Sequence, residues 1–507
     1  MNLVLRNARL PGGDDVVDVH ISDGRIDSIG YLSPATLARC RTVDVGERWL
    51  IPGLWDNHVH FSQWAQTSRR LDVSSATSAA AAADLVAARL AALPAPAEGD
   101  RLVGFGFRDG LWPDAPSRAL LDAASGSVPG GSVPGGSVPV GSVPVVLVSG
   151  DLHSCWLNSA ALAHYGFSGD HTGLLREEEA FAVERAIDNI ADADLDAWAD
   201  EAARAAAARG VVGIVDLEMT WNLEVWQRRI RAGTESLRVE FGLYGPHLER
   251  AIECGLRSGQ VIDDTRGLLT VGPFKVITDG SLNTRTAYCF DAYPGLTGEH
   301  AHGMLTVPFA DLVAQMRLAA DAGIRPAVHA IGDNANSLAL DAFAEVGCSG
   351  SIEHAQLLTD ADVARFARLG ITASVQPEHA LDDREVADRY WAGRTDRAYR
   401  LRDLAAAGVT LALGSDAPVA ALDPWQAIAA AVGRGLDRGE AAWHPEQAIS
   451  RQAALAASAR GQHAIGVGRV ADLAICEIDP FVASVDDLRT MPVAATLLAG
   501  RFTHNTL

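Results

Sequence analysis

The chain has 507 residues, of which 48% are hydrophobic and 21% charged, a composition typical of soluble globular proteins rather than disordered ones. Its formal net charge of −22 argues against nucleic acid or an anionic membrane surface as a partner. The sequence contains neither an N-terminal signal peptide nor an apolar run long enough to span a membrane. Its six cysteines are scattered and form no CxxC pair, so they are interpreted as buried thiols of a reducing compartment. These features together predict a cytoplasmic protein.

Both ends of the chain have a sequence pattern typical of short β-strands. Residues 1–50 alternate short apolar runs with turn signals, which predicts several short antiparallel strands. Similar runs return in residues 461–507. We therefore expect the two termini to form one small composite β domain, because chain ends commonly lie close together in compact proteins.

The middle of the chain, residues 51–460, alternates short apolar strands with alanine-rich helical segments. Eight such strands in one region predict an α/β fold, a (β/α)8 TIM barrel, in which active sites lie at the carboxyl ends of the strands. The candidate strands are 50–61, 211–217, 237–244, 274–278, 325–330, 351–354, 371–375 and 410–414.

The interval between the first two barrel strands is too long for a simple crossover. It predicts an inserted subdomain at about 62–209, with helices near 78–93 and 177–209 and strands near 102–107 and 145–149. Within it, residues 126–145 repeat a Gly/Ser/Val/Pro pentad. Such a repeat cannot form a packed core, so we expect a flexible surface loop. A neutral repeat expansion is favoured over a functional lid.

One residue stands apart from this background. The chain has 42 lysines and arginines, and Lys275 is the only lysine, so the other 41 are arginines. A buried lysine can lose its proton, which an arginine does not, and a neutral amine reacts with carbon dioxide to give a carbamate, an acidic ligand on a long arm. Chance remains the alternative on the count alone.

Ligand-type residues lie at the ends of the predicted barrel strands. His58 and His60 are two residues apart on the first strand, so both imidazoles point to one face. Strand ends four, five, six and eight carry Lys275, His329, His354 and Asp416. Imidazoles and carboxylates in this combination suit zinc or a similar divalent ion. The alternative, buried polar residues satisfied by hydrogen bonds, does not predict this placement.

This order of ligands resembles the amidohydrolase superfamily. Finer motifs resemble the group that contains N-substituted formamide deformylases and related metal-dependent hydrolases: DLHSCWLNSAAL (151–162), KVITDGS (275–281), HAIGDNA (329–335), EHA (353–355), QPEH (376–379) and GSDAPV (414–419). The resemblance implies two divalent ions, usually zinc, bridged by an N-carboxylated Lys275. It assigns His58, His60 and Asp416 to one ion, and His329 and His354 to the other.

The resemblance also implies a mechanism and a substrate class. A hydroxide that bridges the two metals attacks the carbonyl of an amide, N-formyl or N-acyl compound, and Asp416 transfers its proton to the leaving amine. His153, in the insertion, is a candidate substrate-binding residue, and the alternative is that Asp151, His153 and Asn158 hold the insertion together. His379, after the seventh strand, is the second candidate, and the alternative is an ordinary loop histidine. Asp56, Asp279 and Asp333 are interpreted as groups that orient backbone or ligand imidazoles.

Two other functions remain open. The same binuclear site is suited to ester, lactone or phosphoester hydrolysis, since hydroxide attack is common to all of them. A non-catalytic binding protein is the less favoured reading, because such relatives lose metal ligands and here all six are present. The expected partner is a small molecule, with no nucleic acid and no membrane, and the chain is a possible homo-oligomer.

Overall fold

The computed structural model of the chain describes residues 2–13, 15–93, 101–107, 109, 112–126, 143–149, 154–167, 172–176, 178–188, 190–435 and 441–507. These residues fall into two compact units, Met1–Trp64 with Ala199–Leu507, and Ala65–Trp198. His153 and residues 127–142 of the repeat lie outside the described residues. The domain boundaries given above therefore stay predictions.

The strands are numbered along the chain. They are β1 (Asn2–Arg9), β2 (Val16–Ser22), β3 (Arg25–Gly30), β4 (Arg41–Asp44), β5 (Trp49–Pro52), β6 (Leu54–Val59), β7 (Leu71–Asp72), β8 (Leu102–Phe107), β9 (Val145–Ser149), β10 (Ser154–Leu157), β11 (Leu174–Arg176), β12 (Val211–Asp216), β13 (Arg238–Tyr244), β14 (Leu269–Ile277), β15 (Pro326–Ala330), β16 (Ser351–His354), β17 (Thr372–Val375), β18 (Leu411–Leu413), β19 (Leu473–Cys476), β20 (Val493–Leu498) and β21 (Arg501–Asn505).

The α-helices are numbered in the same way. They are α1 (Pro34–Leu37), α2 (Phe61–Thr67), α3 (Ala79–Ala92), α4 (Arg118–Ser125), α5 (Ser159–His164), α6 (Glu178–Asp188), α7 (Asp192–Ala207), α8 (Asn222–Ala232), α9 (Gly245–Glu253), α10 (Phe309–Asp321), α11 (Asp333–Val346), α12 (Asp360–Leu369), α13 (His379–Asp382), α14 (Arg384–Tyr390), α15 (Leu401–Ala406), α16 (Pro424–Gly433), α17 (Arg451–Ala457) and α18 (Val485–Arg489).

The first unit contains a nearly closed parallel barrel. Its eight strands follow the order β6-β12-β13-β14-β15-β16-β17-β18, and a bridge between Val59 and Ala417 joins the first strand to the segment after the last. Every residue of β12 is buried, as expected for a parallel strand covered on both faces. The prediction of an eight-stranded α/β barrel is confirmed.

A second sheet in this unit combines strands from both ends of the chain. Its order is β21-β20-β19-β5-β1-β2-β3, with β4 also paired to β1. The prediction that the N-terminal strands are antiparallel is correct for β1, β2 and β3 but wrong for β4 and β5, which both run parallel to β1. The reason is that the β2–β3 hairpin projects from one edge of β1, which leaves the other edge to strands that return in the same direction.

The predicted first barrel strand, 50–61, is in fact two strands in two sheets. Its first part is β5, which pairs with β19, and its second part is β6 in the barrel. Gly53 separates them, and a Cβ atom there would lie 2.4 Å from Cγ1 of Val212. The chain therefore passes from one sheet to the other at a point where only glycine has room.

The second unit contains a five-stranded sheet in the order β11-β10-β9-β8-β7. Helices α3 and α4 pack on it through a core that includes Val86, Leu121 and Trp156. Strands β8 and β9 lie where the sequence predicts strands, and the predicted helix at 177–209 is two helices, α6 and α7.

Two further expectations concern cysteines and membranes. All six cysteines are free, but only Cys155, Cys289 and Cys476 are buried, so the expectation of six buried thiols is wrong for the exposed Cys254 and for two that are half-buried. Within the described ranges, no helix has both the length and the hydropathy needed to cross a bilayer.

Candidate metal centre

A cavity of about 380 Å³ opens at the carboxyl ends of the barrel strands. The strand register explains why ligand-type side chains meet there: Tyr244 lies opposite Lys275, Ile277 opposite His329, and Ala330 opposite His354. The polar side chains that the sequence singles out and that line this cavity are His58, His60, Lys275, His329, His354, His379 and Asp416.

The HxH pair and Asp416 form one compact group. Nε2 of His58 lies 3.4 Å from Oδ1 of Asp416, and Nε2 of His60 lies 3.3 Å from the same oxygen. The backbone holds this arrangement together, because the Asp416 N–H donates to the carbonyl of His58 at 2.7 Å. The buried carboxylate of Asp56 accepts from the N–H groups of His58 and Ser415 at 3.2 and 2.9 Å. Asp56 thus orients backbone rather than an imidazole.

A second group shares Asp416. Potential ligand atoms of His354, His379 and Asp416 lie within 4.8 Å of one another. The His329 ring is 4.4 Å from that of His354, centre to centre, but His329 is not part of this group. The geometry thus brings His379, which the sequence suggested for substrate, as close to Asp416 as a metal ligand would be.

Lys275 lies near the end of β14 and is only 2% exposed. Its Nζ has no hydrogen-bond partner within the described residues. Burial lowers the pKa of Lys275, against the opposing charges of Glu353 and Asp416. A buried, unpartnered amine with a lowered pKa is chemically suited to carboxylation.

Burial lowers the pKa of three imidazoles in this cavity, those of His58, His329 and His354, which favours the neutral form that binds metals. Burial, followed by the charge of Lys275, lowers the pKa of His329 to about 3. Burial and the neighbouring His329 hold the pKa of His354 well below its usual value. Burial alone would raise the pKa of Asp416, but the surrounding histidines, His58 first, bring it well below the ordinary value, so this carboxylate is ionised.

Comparison with known proteins agrees with this geometry. The model of the amidohydrolase family matches residues 41–504. The chain belongs to the amidohydrolase family. It is similar to the protein LONG AFTER FAR-RED 3 of Arabidopsis thaliana, with 27% identity over 98% of this chain and 89% of the relative. It is also similar to the N-substituted formamide deformylase of Arthrobacter pascens, with 24% identity over 95% and 94%.

A solved structure shares the fold of this amidohydrolase. The uncharacterised metal-dependent hydrolase of Pyrococcus furiosus superposes with a TM-score of 0.73, over 95% of this chain and 100% of the other, at 24% identity. At 24% identity, this similarity supports a shared fold and nothing more.

One buried residue of this amidohydrolase was quoted above only as part of a motif. Oε2 of Glu353 lies 2.8 Å from Nδ1 of His58, and Ser351 Oγ donates to Oε1 at 2.6 Å. Burial would raise the pKa of Glu353, but the bond to His58, the charges of Lys275 and His58 and the bond from Ser351 together lower the pKa to about 2. An ionised carboxylate only accepts, so His58 donates from Nδ1 and presents the Nε2 lone pair to the cavity. The EHA motif (353–355) was the sequence signal from which the role of Glu353 could have been predicted.

Asp279 and Asp333 serve the loops around the cavity. Asp279 accepts from the N–H groups of Tyr288, Ile331 and Gly332 at 2.9–3.0 Å, and its Oδ1 lies 3.5 Å from Nε2 of His329. Asp333 accepts from the N–H of Phe290 at 2.9 Å. Both therefore hold backbone, and Asp279 also faces an imidazole, as the sequence suggested.

The donor set of this amidohydrolase fits divalent cations. Five buried nitrogens of the residues that line this cavity lack hydrogen-bond partners in the described part of the chain: Nδ1 of His60, Nζ of Lys275, Nε2 of His329, Nδ1 of His354 and Nε2 of His379. Unpartnered buried nitrogens are costly, and coordination is the usual way in which such atoms are satisfied. Together with the ionised Asp416, they provide the nitrogen and oxygen ligands that zinc-like ions prefer.

Proposed function

We propose that this protein cleaves the C–N bond of an amide, N-formyl or N-acyl compound with the help of two divalent metal ions, zinc in the first instance. The observation that carries the proposal is the convergence of His58, His60 and His354 on the single carboxylate of Asp416 in an open cavity. Such an arrangement suits metal-assisted hydrolysis, in which water and substrate must meet at one point.

We assign His58, His60 and Asp416 to one ion, and His329 and His354 to the other. Lys275, once carboxylated, would supply an anionic group to both. When bound, the two ions would lower the pKa of water and polarise the substrate carbonyl.

The proton is handled by this chain's own carboxylate. Asp416 is ionised, lies beside both members of the HxH pair and lines the cavity, so one oxygen is available to take a proton from the attacking water. The same oxygen then returns the proton to the leaving nitrogen, which departs as a neutral amine. Glu353 holds His58 in place, and His379, which lines the cavity beside His354, is suited to contact the substrate.

The first test uses the fact that Lys275 is the only lysine. After incubation with ¹³C-bicarbonate and zinc, we expect one lysine carbamate signal in the ¹³C spectrum, and none from Lys275→Arg. Lys275→Arg should also lose bound metal and turnover together, because a guanidinium cannot be carboxylated. Full metal content and turnover in this variant would contradict the bridging role.

The reaction itself is tested by a screen of the zinc-loaded enzyme. The panel contains N-formyl amines, N-acyl amines and amino-acid amides, with esters and lactones of matching shape beside them. Faster hydrolysis of the amides supports C–N cleavage, whereas hydrolysis of esters alone would favour the alternative. Asp321→Asn, a neutralised exposed carboxylate on α10, is the control, and Asp416→Asn should abolish turnover of all these compounds.

A further inference from the structure

The walls of the cavity carry a charge pattern that the metal centre does not use. Beyond the centre, the charged residues that line it are Asp382 and Asp383, at the end of α13 and immediately after it. None of the chain's 41 arginines lines the cavity within the described residues, and its only lysine belongs to the centre. The charged side chains of the wall, apart from those of the metal centre, are therefore all acidic.

The two carboxylates differ in what they contact. Asp383 is fixed, because it accepts from Nδ2 of Asn283 at 2.7 Å and from the Tyr399 hydroxyl at 3.3 Å. The side chain of Asp382 is exposed and, among the described residues, forms no hydrogen bond or ion pair, although the charges of His379 and Arg489 act on it from nearby. One carboxylate is thus anchored beside another that is free to bind.

Two buried polar groups in the same cavity point to a ligand independently of these acids. His379 and Gln356 are only 6% and 2% exposed, and His379 Nε2 and Gln356 Oε1 have no hydrogen-bond partner within the described part of the chain. A bound molecule with its own donors and acceptors would satisfy both.

The rest of the wall is apolar and partly open to solvent. Met219, Ile277 and Val419 line the cavity although 58%, 37% and 65% of their surfaces are exposed. Large apolar side chains exposed around one cavity are typical of a surface that an apolar ligand covers.

We propose that the substrate is an amide with an apolar substituent that carries a cationic group, and that Asp382, supported by Asp383, binds this cation. The inference rests on the proposed function, since the amide is placed by the metal centre. Carboxylate and phosphate groups are recognised by arginine forks, which this cavity lacks in the described residues. Substrates that carry an anionic group in the position of this cation are therefore disfavoured.

The test compares three formamides of equal length whose far end is a methyl, an ammonium or a carboxylate group. We expect kcat/KM of the zinc-loaded enzyme to be highest for the ammonium compound and lowest for the carboxylate. Asp382→Asn should reduce the ammonium-to-methyl ratio about tenfold, as expected for the loss of a hydrogen bond between charged groups. Asp321→Asn removes the same charge from α10 and should leave the ratio unchanged.

Binding separates this inference from the proposed function. If none of the three compounds is hydrolysed, the proposed C–N chemistry fails. Calorimetric titration still measures how much more tightly the cavity binds the ammonium compound than the methyl compound. Tighter binding of the ammonium compound that Asp382→Asn removes supports the inference in either case. A preference for the carboxylate compound, or a ratio that Asp382→Asn leaves intact, would overturn it.

Discussion

Glu353 and His58 are joined across the barrel by a contact of 2.8 Å that selects one tautomer of the imidazole. With Nδ1 committed to the carboxylate, Nε2 keeps its lone pair and faces Asp416. A carboxylate behind a metal-binding imidazole also raises the basicity of the ligand. Glu353 is therefore a positioning residue, which acts on the centre only through His58.

This role predicts the behaviour of Glu353→Gln. The amide keeps the shape of the side chain but loses its charge, so zinc affinity should fall about 10- to 100-fold. A chelator-competition titration measures this affinity, and turnover should return at saturating zinc because the reacting groups are untouched. Glu385→Gln, on the exposed face of α14, is the matched control. Unchanged zinc affinity in Glu353→Gln would contradict the positioning role.

At the same scale, the sequence predicts which residue types gather but not how each one is used. Polar side chains buried at strand ends reduce stability unless they bind a ligand or a partner. This is why the sequence singles out His58, Lys275, His354 and Asp416. The partner of Glu353 lies 295 residues away, and no local pattern reveals such a pair. The grouping of His379 with His354 was missed for the same reason, since it depends on the turn after β17.

Among the secondary-structure elements, the barrel strands and their order were predicted well, but the directions of β4 and β5 were not. Strands β12, β15 and β16 begin and end within one residue of the predicted bounds, because buried runs of apolar residues are bounded by turns. The short strands β10 and β11 gave no such signal. The direction of β4 and β5 depends on which edge of β1 remains open, and that is a property of the assembled sheet.

Asn158 is the best test of an element in the second unit. Its buried side chain accepts from the N–H groups of Val145 and Ala161, and donates to the carbonyl of Val143 and to Ser125 Oγ, all at 2.8–3.1 Å. It thus joins the start of β9 to the first turn of α5. Asn158→Ala would leave several buried groups unpaired and should destabilise these elements by about 2–4 kcal/mol.

Hydrogen exchange of the amides in β9 and α5 measures this local stability directly. Asn505→Ala removes an exposed side chain near the end of the chain and should change stability by less than about 0.5 kcal/mol. Protection factors in β9 and α5 that stay within that range for Asn158→Ala would show that Asn158 does not hold them together.

At the scale of the whole molecule, the net charge of −22 and the acidic cavity wall act on a substrate in the same direction. The summed field raises the local concentration of cations, and it is screened by salt, with a Debye length of about 10 Å at 0.1 M. The wall carboxylates act at short range, where salt screens less. The two contributions can therefore be separated by ionic strength.

We expect kcat/KM for the ammonium formamide to fall several-fold as sodium chloride rises from about 10 to 300 mM, because the Debye length shortens from about 30 Å to about 6 Å over this range. The methyl compound should change by less than about twofold, because it carries no charge for the field to act on. In Asp382→Asn the ammonium compound should react more slowly at every salt concentration. Its dependence on salt should remain largely the same, because the variant removes only one charge from a net charge of −22. Parallel salt responses of the two compounds would mean that the summed field does not select the substrate by charge.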